Sequence, residues 1–236
     1  MRTNQFEQPI GFPMAHWQAP PSPPKAPLIG QYCQVVPLDT DQHAQELYEA
    51  TLLDPDARGW TYLPYGPFES WEQYLAWLNQ ACLGDDPLFY AIVEQDSGQA
   101  VGLASYLRID PSQGVIEVGH LKFSPRLQRT TAATEALILM ITHAFDLGYR
   151  RCEWKCDSLN APSRAAAERL GFVFEGIFRQ ARVYRGRNRD TAWYAIIDQD
   201  WPTLKAVYEQ WLDPANFDAN GQQKTRLSAL TAPLLK

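Results

Sequence analysis

The chain has 236 residues, of which 45% are hydrophobic and 12% aromatic, enough for one large domain with a packed core and short extensions. No apolar run approaches the roughly 18–20 residues of a membrane helix, and the N-terminus lacks the apolar segment of a secretory signal, so we expect a cytoplasmic protein without a membrane partner. The net charge is −6, yet the stretch from Lys122 to Arg189 contains 13 Lys and Arg against 6 Asp and Glu, which favours a local anion site over general binding to nucleic acid.

The first 30 residues are rich in proline, with "APPSPPKAP" the densest part. This composition predicts an extended arm over 1–30. Part of the arm is expected to pack on the domain, because it also carries hydrophobic side chains, namely Phe6, Ile10, Phe12 and Trp17. We expect the domain itself to span 31–213 and the last residues, 214–236, to form a flexible tail.

Within 31–213 the spacing of hydrophobic residues alternates between the periods of strands and helices. Strands are predicted at 31–38, 88–95, 100–109, 114–123, 149–157, 172–180 and 190–197. Helices are predicted at 39–53, 68–83, 131–147, 161–171 and 201–212. The strand–helix–strand unit at 115–156 implies parallel neighbours, and the hairpins on either side imply antiparallel pairs. The fold class predicted is therefore a mixed α/β (α+β) sheet of about six to seven strands, mostly antiparallel, with helices on both faces.

The cysteines follow no pattern of metal binding. They are Cys33, Cys82, Cys152 and Cys156, and they form neither a CxxC pair nor a zinc-finger spacing with histidine. We expect free thiols in the core and no metal.

A basic turn at 124–130 leads directly into the helix predicted to begin at Thr131. A helix N-terminus favours an anion because its first N–H groups are unpaired and its dipole is positive there. Caps, charge and small side chains are supplied by Thr130 and Thr131, by Arg126 and Arg129, and by Ala132 and Ala133. Glycine is not required if the backbone turns without a positive φ. The pattern alone is weak, because capped helices with a nearby arginine are common.

The segment "QRTTAA", 128–133, resembles motif A of the GNAT superfamily, the Gcn5-related N-acetyltransferases, which reads Q/R-x-x-G-x-G/A. Thr131 stands where the first glycine is usual, and "ATEAL" at 133–137 continues as in the RimJ/RimL-like branch. Three further segments resemble the family's fourth strand, its N-x-x-S…E-x-x-G-F segment and its closing strand: "EVGHLKFSP", "NAPSRAAAERLGFVFEG" and "RNRDTAWYAI". The resemblance covers roughly residues 31–200.

The resemblance implies an enzyme that moves an acetyl group from acetyl-CoA to a primary amine by direct attack in a ternary complex, without a metal. It implies a splay between the parallel strands at 114–123 and 149–157 that admits the pantetheine arm, and a bulge near Gly119 that aims an N–H at the thioester oxygen. The strand is one residue longer between Gly119 and Pro125 than is common in the family. The implied co-substrate site consists of Leu121, Phe123, Gln128, Arg129, Thr130, Thr131, Ala132, Ala133, Thr134, Asn160 and Ser163.

Acetyl transfer to an amine needs a group that removes the amine proton and donors that stabilise the oxyanion. Glu117 is a candidate base, and the alternative is a strand-face carboxylate paired with an arginine. His120 is a rival base, although a solvated or core histidine is the more common arrangement. The resemblance implies that Ser163 protonates the leaving thiolate and that Asn160 holds the pantetheine amides, and "NAPS" is also a good helix cap. Tyr184 is a further candidate acid.

The acceptor side is predicted in the aromatic segment 58–70. Trp60, Tyr62 and Tyr65, with His120, are candidate substrate-binding residues, and the alternative is a satellite core beneath a loop. A set of arginines in 180–189, namely Arg182, Arg185 and Arg187, favours an acidic acceptor or the CoA 3′-phosphate. The acceptor class stays open between a protein N-terminus, an amino acid and a small amine.

Two further questions stay open at this point. The alternative function is a catalytically degenerate domain that binds CoA or a protein partner, and the glycine missing from motif A is its support. The oligomeric state is also open, with a homodimer as one alternative.

Overall fold

The computed structural model describes residues 2–235, so Met1 and Lys236, the outer ends of the predicted arm and tail, lie outside the described residues. The strands are β1 Arg2–Thr3, β2 Pro9–Ile10, β3 Leu28–Ile29, β4 Cys33–Pro37, β5 Leu88–Glu94, β6 Ala100–Asp110, β7 Val115–Phe123, β8 Arg151–Asp157, β9 Val173–Tyr184 and β10 Arg187–Ile197. The helices are α1 Thr40–Leu52, α2 Trp71–Ala81, α3 Thr131–Asp146, α4 Ala161–Arg169, α5 Trp201–Leu212 and α6 Leu227–Thr231. Every helix and strand predicted from the sequence is present.

Eight strands form one mixed sheet in the order β3-β4-β5-β6-β7-β8-β10-β9. Its neighbours pair antiparallel except β7 and β8, which are parallel and are connected through α3. The predicted fold class is confirmed, and the strand beyond the expected number is the two-residue β3 contributed by the arm.

Successive side chains of a strand point to opposite faces of the sheet. The buried residues accordingly form two clusters, one on each face. Tyr90 and Tyr106 belong to the larger cluster, with residues of α3, α4 and α5. Phe89 and Leu103 belong to the smaller one, with residues of α1 and α2. The helices therefore lie on both faces, as predicted. All four cysteines are buried free thiols, as expected, and none of the helices within residues 2–235 has the length and apolarity to cross a membrane.

The parallel pair is joined over a short distance only. Pairing between β7 and β8 covers three positions and ends at Glu117 opposite Glu153. Further along, β7 has a bulge, because Gly119 pairs with Ser105 and Lys122 pairs with Leu103, two residues away on β6. His120 and Leu121 therefore face one residue of β6, and His120 has a φ of 52°. The bulge predicted at Gly119 begins one residue later and contains the extra residue of this strand.

The hairpin of β9 and β10 is longer than predicted. The predicted strands end at 180 and begin again at 190, whereas the observed turn consists of Arg185 and Gly186 alone, with φ of 49° and 70°. Two residues with positive φ form the turn that best matches the twist of a hairpin. The ladder consequently continues through the basic residues and places Arg182 directly opposite Arg189.

The C-terminal segment differs from the predicted flexible tail. It contains α6, whose Leu227 and Thr231 are buried. The Thr231 hydroxyl donates to the carbonyl of Arg169 at 3.1 Å, and the Trp211 Nε1 donates to Gln223 Oε1 at 2.9 Å. The segment is packed because burial of the Leu227 side chain removes apolar surface from water. This is a tertiary effect that local sequence pattern does not reveal.

The proline-rich arm is partly packed. Trp17 lies against Gly114, where an added Cβ would come within 2.3 Å of its ring, and the Tyr90 hydroxyl donates to the Pro24 carbonyl at 3.2 Å. Phe6 and Phe12, in contrast, are 71% and 61% exposed. Only the part of the arm nearest the domain is thus anchored to it.

Candidate active site

The divergence of β7 and β8 opens a cleft of about 1770 Å³. One end, near the start of α3, is termed the co-substrate end, and the other, between 58–64 and the β9–β10 hairpin, the acceptor end. The predicted site residues that line the cleft are Tyr62, Glu117, His120, Leu121, Phe123, Gln128, Arg129, Thr130, Thr131, Ala133, Thr134, Asn160 and Ser163. Four predicted residues are outside the lining: Trp60, Tyr65, Ala132 and Tyr184.

The co-substrate end is built on the first turn of α3. Thr130 caps the helix, with its Oγ1 accepting the N–H of Ala133 at 3.0 Å. Within this turn Arg129 has a positive φ, of 64°, whereas Thr131 does not. The left-handed position thus falls two residues before Thr131, which begins the helix with ordinary geometry. Ala132 is buried and points toward the sheet, since successive helical residues project about 100° apart.

Arg169 on α4 also lines the co-substrate end, and the sequence prediction missed it. Its Nη1 donates to Thr134 Oγ1 at 3.1 Å. Burial lowers its pKa, and no carboxylate within residues 2–235 forms an ion pair with it. A cation in such a place attracts an anionic ligand. The signal was present in the sequence, since Pro162, Ser163, Ala166 and Arg169 share one face at helical spacing.

The C-terminal segment closes the same end of the cleft. The residues that line it are Trp211, Phe217, Gly221, Gln222 and Gln223. Phe217 packs edge-on against Tyr32 and Trp211, at centroid distances of 5.8 and 5.4 Å. No motif in the sequence indicated this contribution, because it depends on where the segment folds back.

Glu117 lies at the point where β7 and β8 separate and is 4% exposed. Its Oε2 is 3.1 Å from Arg108 Nε and 3.1 Å from Lys155 Nζ. Burial raises the pKa of this carboxyl, and the two cations oppose the effect in part. The pairing with an arginine that was given as the alternative is present, and the carboxyl also lines the cleft. A buried carboxyl with a raised pKa is the kind of group that accepts a proton near neutral pH.

Ser163 and Asn160 lie across the split from Glu117. Asn160 caps α4, with its Oδ1 accepting the Ser163 N–H at 3.2 Å. The Trp154 Nε1 donates to Ser163 Oγ at 3.0 Å, so the hydroxyl accepts in that bond and its own proton is not used there. Burial raises the pKa of the neighbouring Cys156 thiol, which argues against a nucleophilic role, as expected.

His120 forms part of the acceptor end. Its Nδ1 is 2.9 Å from the Tyr65 hydroxyl, and the two rings stack with centroids 5.6 Å apart. Burial lowers the pKa of His120 to about 4, and the guanidinium groups of Arg182, Arg189 and Arg108 act in the same direction. The imidazole is consequently neutral at neutral pH.

The aromatic residues of 58–70 were interpreted either as walls of an acceptor pocket or as a satellite core beneath a loop, and the structure contains both arrangements. Tyr62 lines the cleft, and its hydroxyl donates to the Leu159 carbonyl at 3.1 Å. Trp60 and Tyr65 instead pack in the cluster on the α1 and α2 face. Lys122 Nζ covers the Trp60 ring at 4.6 Å from its centroid. The prediction that Trp60 and Tyr65 wall the acceptor pocket is thus wrong, because the hydrophobic effect places both rings beneath the loop.

The tip of the β9–β10 hairpin is engaged in protein contacts. The Tyr184 hydroxyl, a predicted catalytic acid, donates to Asp157 Oδ2 at 2.9 Å, and Tyr184 itself is not part of the cleft lining. Arg185 and Arg187 donate to the carbonyls of Trp60 and Thr61 at 3.0 and 2.9 Å. These three side chains fasten the hairpin to its neighbours instead of pointing at a substrate.

Residues 34–173, more than half of the chain, match the family model described as the acetyltransferase (GNAT) domain. The chain belongs to the GNAT acetyltransferase family. It is 44% identical to a GCN5-related N-acetyltransferase from Brucella melitensis, over 93% of this chain and 100% of that one, with a TM-score of 0.90. It is 25% identical over 158 residues to the uncharacterized N-acetyltransferase YnaD of Bacillus subtilis (strain 168), covering 66% of this chain and 89% of YnaD.

The RimJ/RimL-like resemblance also has a structural counterpart. A solved RimL, a ribosomal L7/L12 alpha-N-protein acetyltransferase, superposes with a TM-score of 0.60 over 79% of this chain and 98% of that one. At 22% identity this likeness shows the shared fold alone.

The GNAT family uses acetyl-CoA, and the residues present fit it. A capped helix start with Arg129 beside it, and Arg169 without a carboxylate partner, suit phosphate groups. The diverging strands leave main-chain groups of β7 without a partner on β8. Within residues 2–235 no group of three or more His, Cys, Asp or Glu is arranged to hold a metal.

Proposed function

We propose that the protein transfers an acetyl group from acetyl-CoA to a primary amine by direct attack in a ternary complex. The observation that supports this most is the continuity of the cleft. It runs from the first turn of α3 through the split between β7 and β8 to the acceptor end. Two ligands entering from opposite ends would meet beside Glu117 and Ser163.

The co-substrate end would hold acetyl-CoA, which supplies an acetyl group activated as a thioester. The N–H groups of the first turn of α3, with the side chains of Arg129 and Arg169, bind the phosphates. The main chain of Leu121 and Phe123 and the side chain of Asn160 bind the pantetheine arm.

Glu117 removes the proton from the attacking amine, directly or through water, because its carboxyl combines a raised pKa with a place in the cleft. The bulge at His120 and Leu121 directs main-chain N–H groups toward the thioester oxygen and stabilises its developing charge. Ser163 donates its hydroxyl proton to the leaving sulfur, while Trp154 holds that hydroxyl in place.

The test is a calorimetric titration of acetyl-CoA followed by an acetyl-transfer assay on a panel of primary amines. Thr131→Asp places a carboxylate at the phosphate position, and we expect it to abolish binding. The matched control is Thr203→Asp, the same change in the first turn of α5 at an exposed position, which should bind normally. Glu117→Gln should retain acetyl-CoA binding and lose about 10²- to 10⁴-fold in kcat, the range for removal of a general base.

The outcomes separate the alternatives. Acetyl-CoA binding without transfer to any amine would favour a catalytically degenerate domain. Absence of acetyl-CoA binding by the unmodified protein would exclude the mechanism altogether.

A further inference from the structure

Two arginines face each other directly in the acceptor end. The two-residue turn at Arg185 and Gly186 fixes the register of the hairpin, so that Arg182 on β9 pairs with Arg189 on β10. Both side chains line the cleft. Like charges that lie directly opposite each other on antiparallel strands destabilise the fold. Two such arginines in a cleft therefore point to an anion that binds between them.

Neither guanidinium is neutralised by the protein. Among residues 2–235 no carboxylate forms an ion pair with Arg182 or Arg189. Arg189 donates its Nε to Thr191 Oγ1 at 3.1 Å, and its guanidinium carbon is 5.9 Å from the centroid of the Tyr184 ring. Both contacts leave the positive charge available to a ligand.

The carboxylates nearest to the pair accept hydrogen bonds from neutral donors and form no ion pair with it. Asp157 accepts the Leu159 N–H and the Tyr184 hydroxyl, each at 2.9 Å. Asp190 accepts the Gln180 N–H at 2.7 Å and Asn188 Nδ2 at 3.0 Å.

Three carboxylates line the other side of the acceptor end, and Asp54 among them accepts the Gly59 N–H at 2.8 Å and lies 3.7 Å from Lys122 Nζ. Asp86 accepts the N–H groups of Arg108 and Ile109, at 2.8 and 3.0 Å, and Glu117 is paired with Arg108 and Lys155. Arg182 and Arg189 are thus two adjacent guanidinium groups of the acceptor end for which no ion pair forms within residues 2–235. The lowered pKa of His120, on which both guanidinium groups act, reflects the same field.

The walls of this end are fastened to each other. Arg185 and Arg187 bind the carbonyls of Trp60 and Thr61, and the Tyr62 hydroxyl binds the carbonyl of Leu159. These hydrogen bonds link 60–62 to the hairpin and to the loop after β8. A space bounded in this way suits a small molecule better than the surface of a folded protein.

We infer that the acetyl acceptor is a small amine that also carries a carboxylate, as a free amino acid does, and that this carboxylate binds between Arg182 and Arg189. Two guanidinium groups hold a carboxylate through charge-assisted hydrogen bonds. The amine then extends along the cleft toward Glu117. This inference depends on the proposed function for the chemistry at the amine, whereas carboxylate binding is independent of it.

The experiment compares matched acceptors at low ionic strength: a panel of free amino acids, and the amides and decarboxylated amines that correspond to them. We expect kcat/KM to favour the carboxylate form by roughly 10- to 100-fold, the size expected for charge-assisted hydrogen bonds. Arg182→Gln and Arg189→Gln should each reduce that preference strongly while leaving the affinity for acetyl-CoA unchanged. Arg179→Gln removes the same charge from an exposed residue of β9 outside the cleft and should keep the preference.

A second readout does not require catalysis. Calorimetric titration of the same amino acids into the CoA-bound protein should show binding that depends on Arg182, and Arg182→Gln should raise the Tm of the ligand-free protein because it removes the like-charge contact. Arg182-dependent binding of amino acids that are not acetylated would support the carboxylate site and contradict the proposed function.

Three results would overturn the inference. Acetylation of amines without preference for the carboxylate would exclude the site while the proposed function stands. A loss of acetyl-CoA affinity in Arg182→Gln would assign the pair to a CoA phosphate. A higher kcat/KM for peptide N-termini than for free amino acids would exclude a small acceptor.

Discussion

The imidazole of His120 is held between Tyr65 and Phe89, with ring centroids 5.6 and 5.3 Å away. One of its nitrogens shares a hydrogen bond with the Tyr65 hydroxyl. A histidine with a pKa of about 4 is a poor base for an alkylamine, whose proton has a pKa near 10. We therefore propose Glu117 and not His120 as the base, with His120 as part of the cleft wall.

The depressed pKa of His120 makes stability depend on pH. Its folded pKa of about 4 lies below its ordinary value of 6.5, so the stability contributed by the neutral ring is present above pH 6.5 and is lost as pH falls through 4. Between pH 7 and pH 5 the unmodified protein should lose about 2 kcal/mol more of its unfolding free energy than His120→Gln. Urea unfolding at the two pH values measures the difference.

The matched control for this measurement is His16→Gln, which changes an exposed histidine of the arm and should behave as the unmodified protein does. Equal losses in His120→Gln and the unmodified protein would contradict the assignment of a buried, neutral imidazole.

At this scale the sequence predicts local contacts well and distant ones poorly. The caps Thr130 and Asn160 were predictable because each binds an N–H only three residues away. The partners of Glu117, Arg108 and Lys155, are brought to it by the two neighbouring strands, β6 and β8. The sequence therefore left both interpretations of Glu117 open, as a base and as a carboxylate paired with an arginine.

The turn before α3 adopts a left-handed backbone position without a glycine. This turn places Arg129 at a positive φ, where an L-residue pays roughly 1–2 kcal/mol. The residue in the strained position is also a cation beside the helix N-terminus. Backbone geometry and ligand charge are thus combined in one side chain, where a glycine would provide the geometry alone.

Arg129→Gly should separate these two contributions. We expect the unfolding free energy to rise by about 0.5–1 kcal/mol, because strain is relieved at the cost of a more flexible unfolded chain. Acetyl-CoA affinity should fall about tenfold through loss of the cation. Arg129→Ala is the matched control, since it removes the charge and keeps the strain, and chemical denaturation with calorimetry measures both effects. A loss of stability in Arg129→Gly would refute the strain argument.

In the whole molecule, part of the cleft is formed by the C-terminal segment, which lies outside the family match. The match ends at residue 173, whereas Trp211, Phe217 and the loop up to Gln223 line the co-substrate end. Periodicity predicted the helices and strands because their patterns are local. The position of the C-terminal segment was not predictable, since it depends on side chains such as Leu227 reaching a core formed by residues far earlier in the chain.

Removal of residues 214–236 should therefore affect binding as well as stability. We expect a lower Tm, because buried Leu227 and Thr231 are lost, and an acetyl-CoA affinity reduced by about tenfold or more. Phe217→Ala tests the wall without deleting the helix. Deletion of 2–12, which is exposed apart from the half-buried Asn4 and does not line the cleft, is the control and should leave affinity unchanged. Normal affinity in both the truncated protein and Phe217→Ala would show that the segment only supports the fold.

The split in the sheet has a mechanical consequence. Strands β3 to β7 form one leaf and β8, β10 and β9 another, and three residue pairs join the two leaves through the main chain. Beyond Glu117, the facing edges of β7 and β8 need partners from water or from a ligand. A ligand arm that carries amide groups can bind between these edges, as an added strand would, and form hydrogen bonds with both. The protein would then be most rigid with its co-substrate bound. The backbone amides least protected from hydrogen exchange would lie next to the position of the acetyl group.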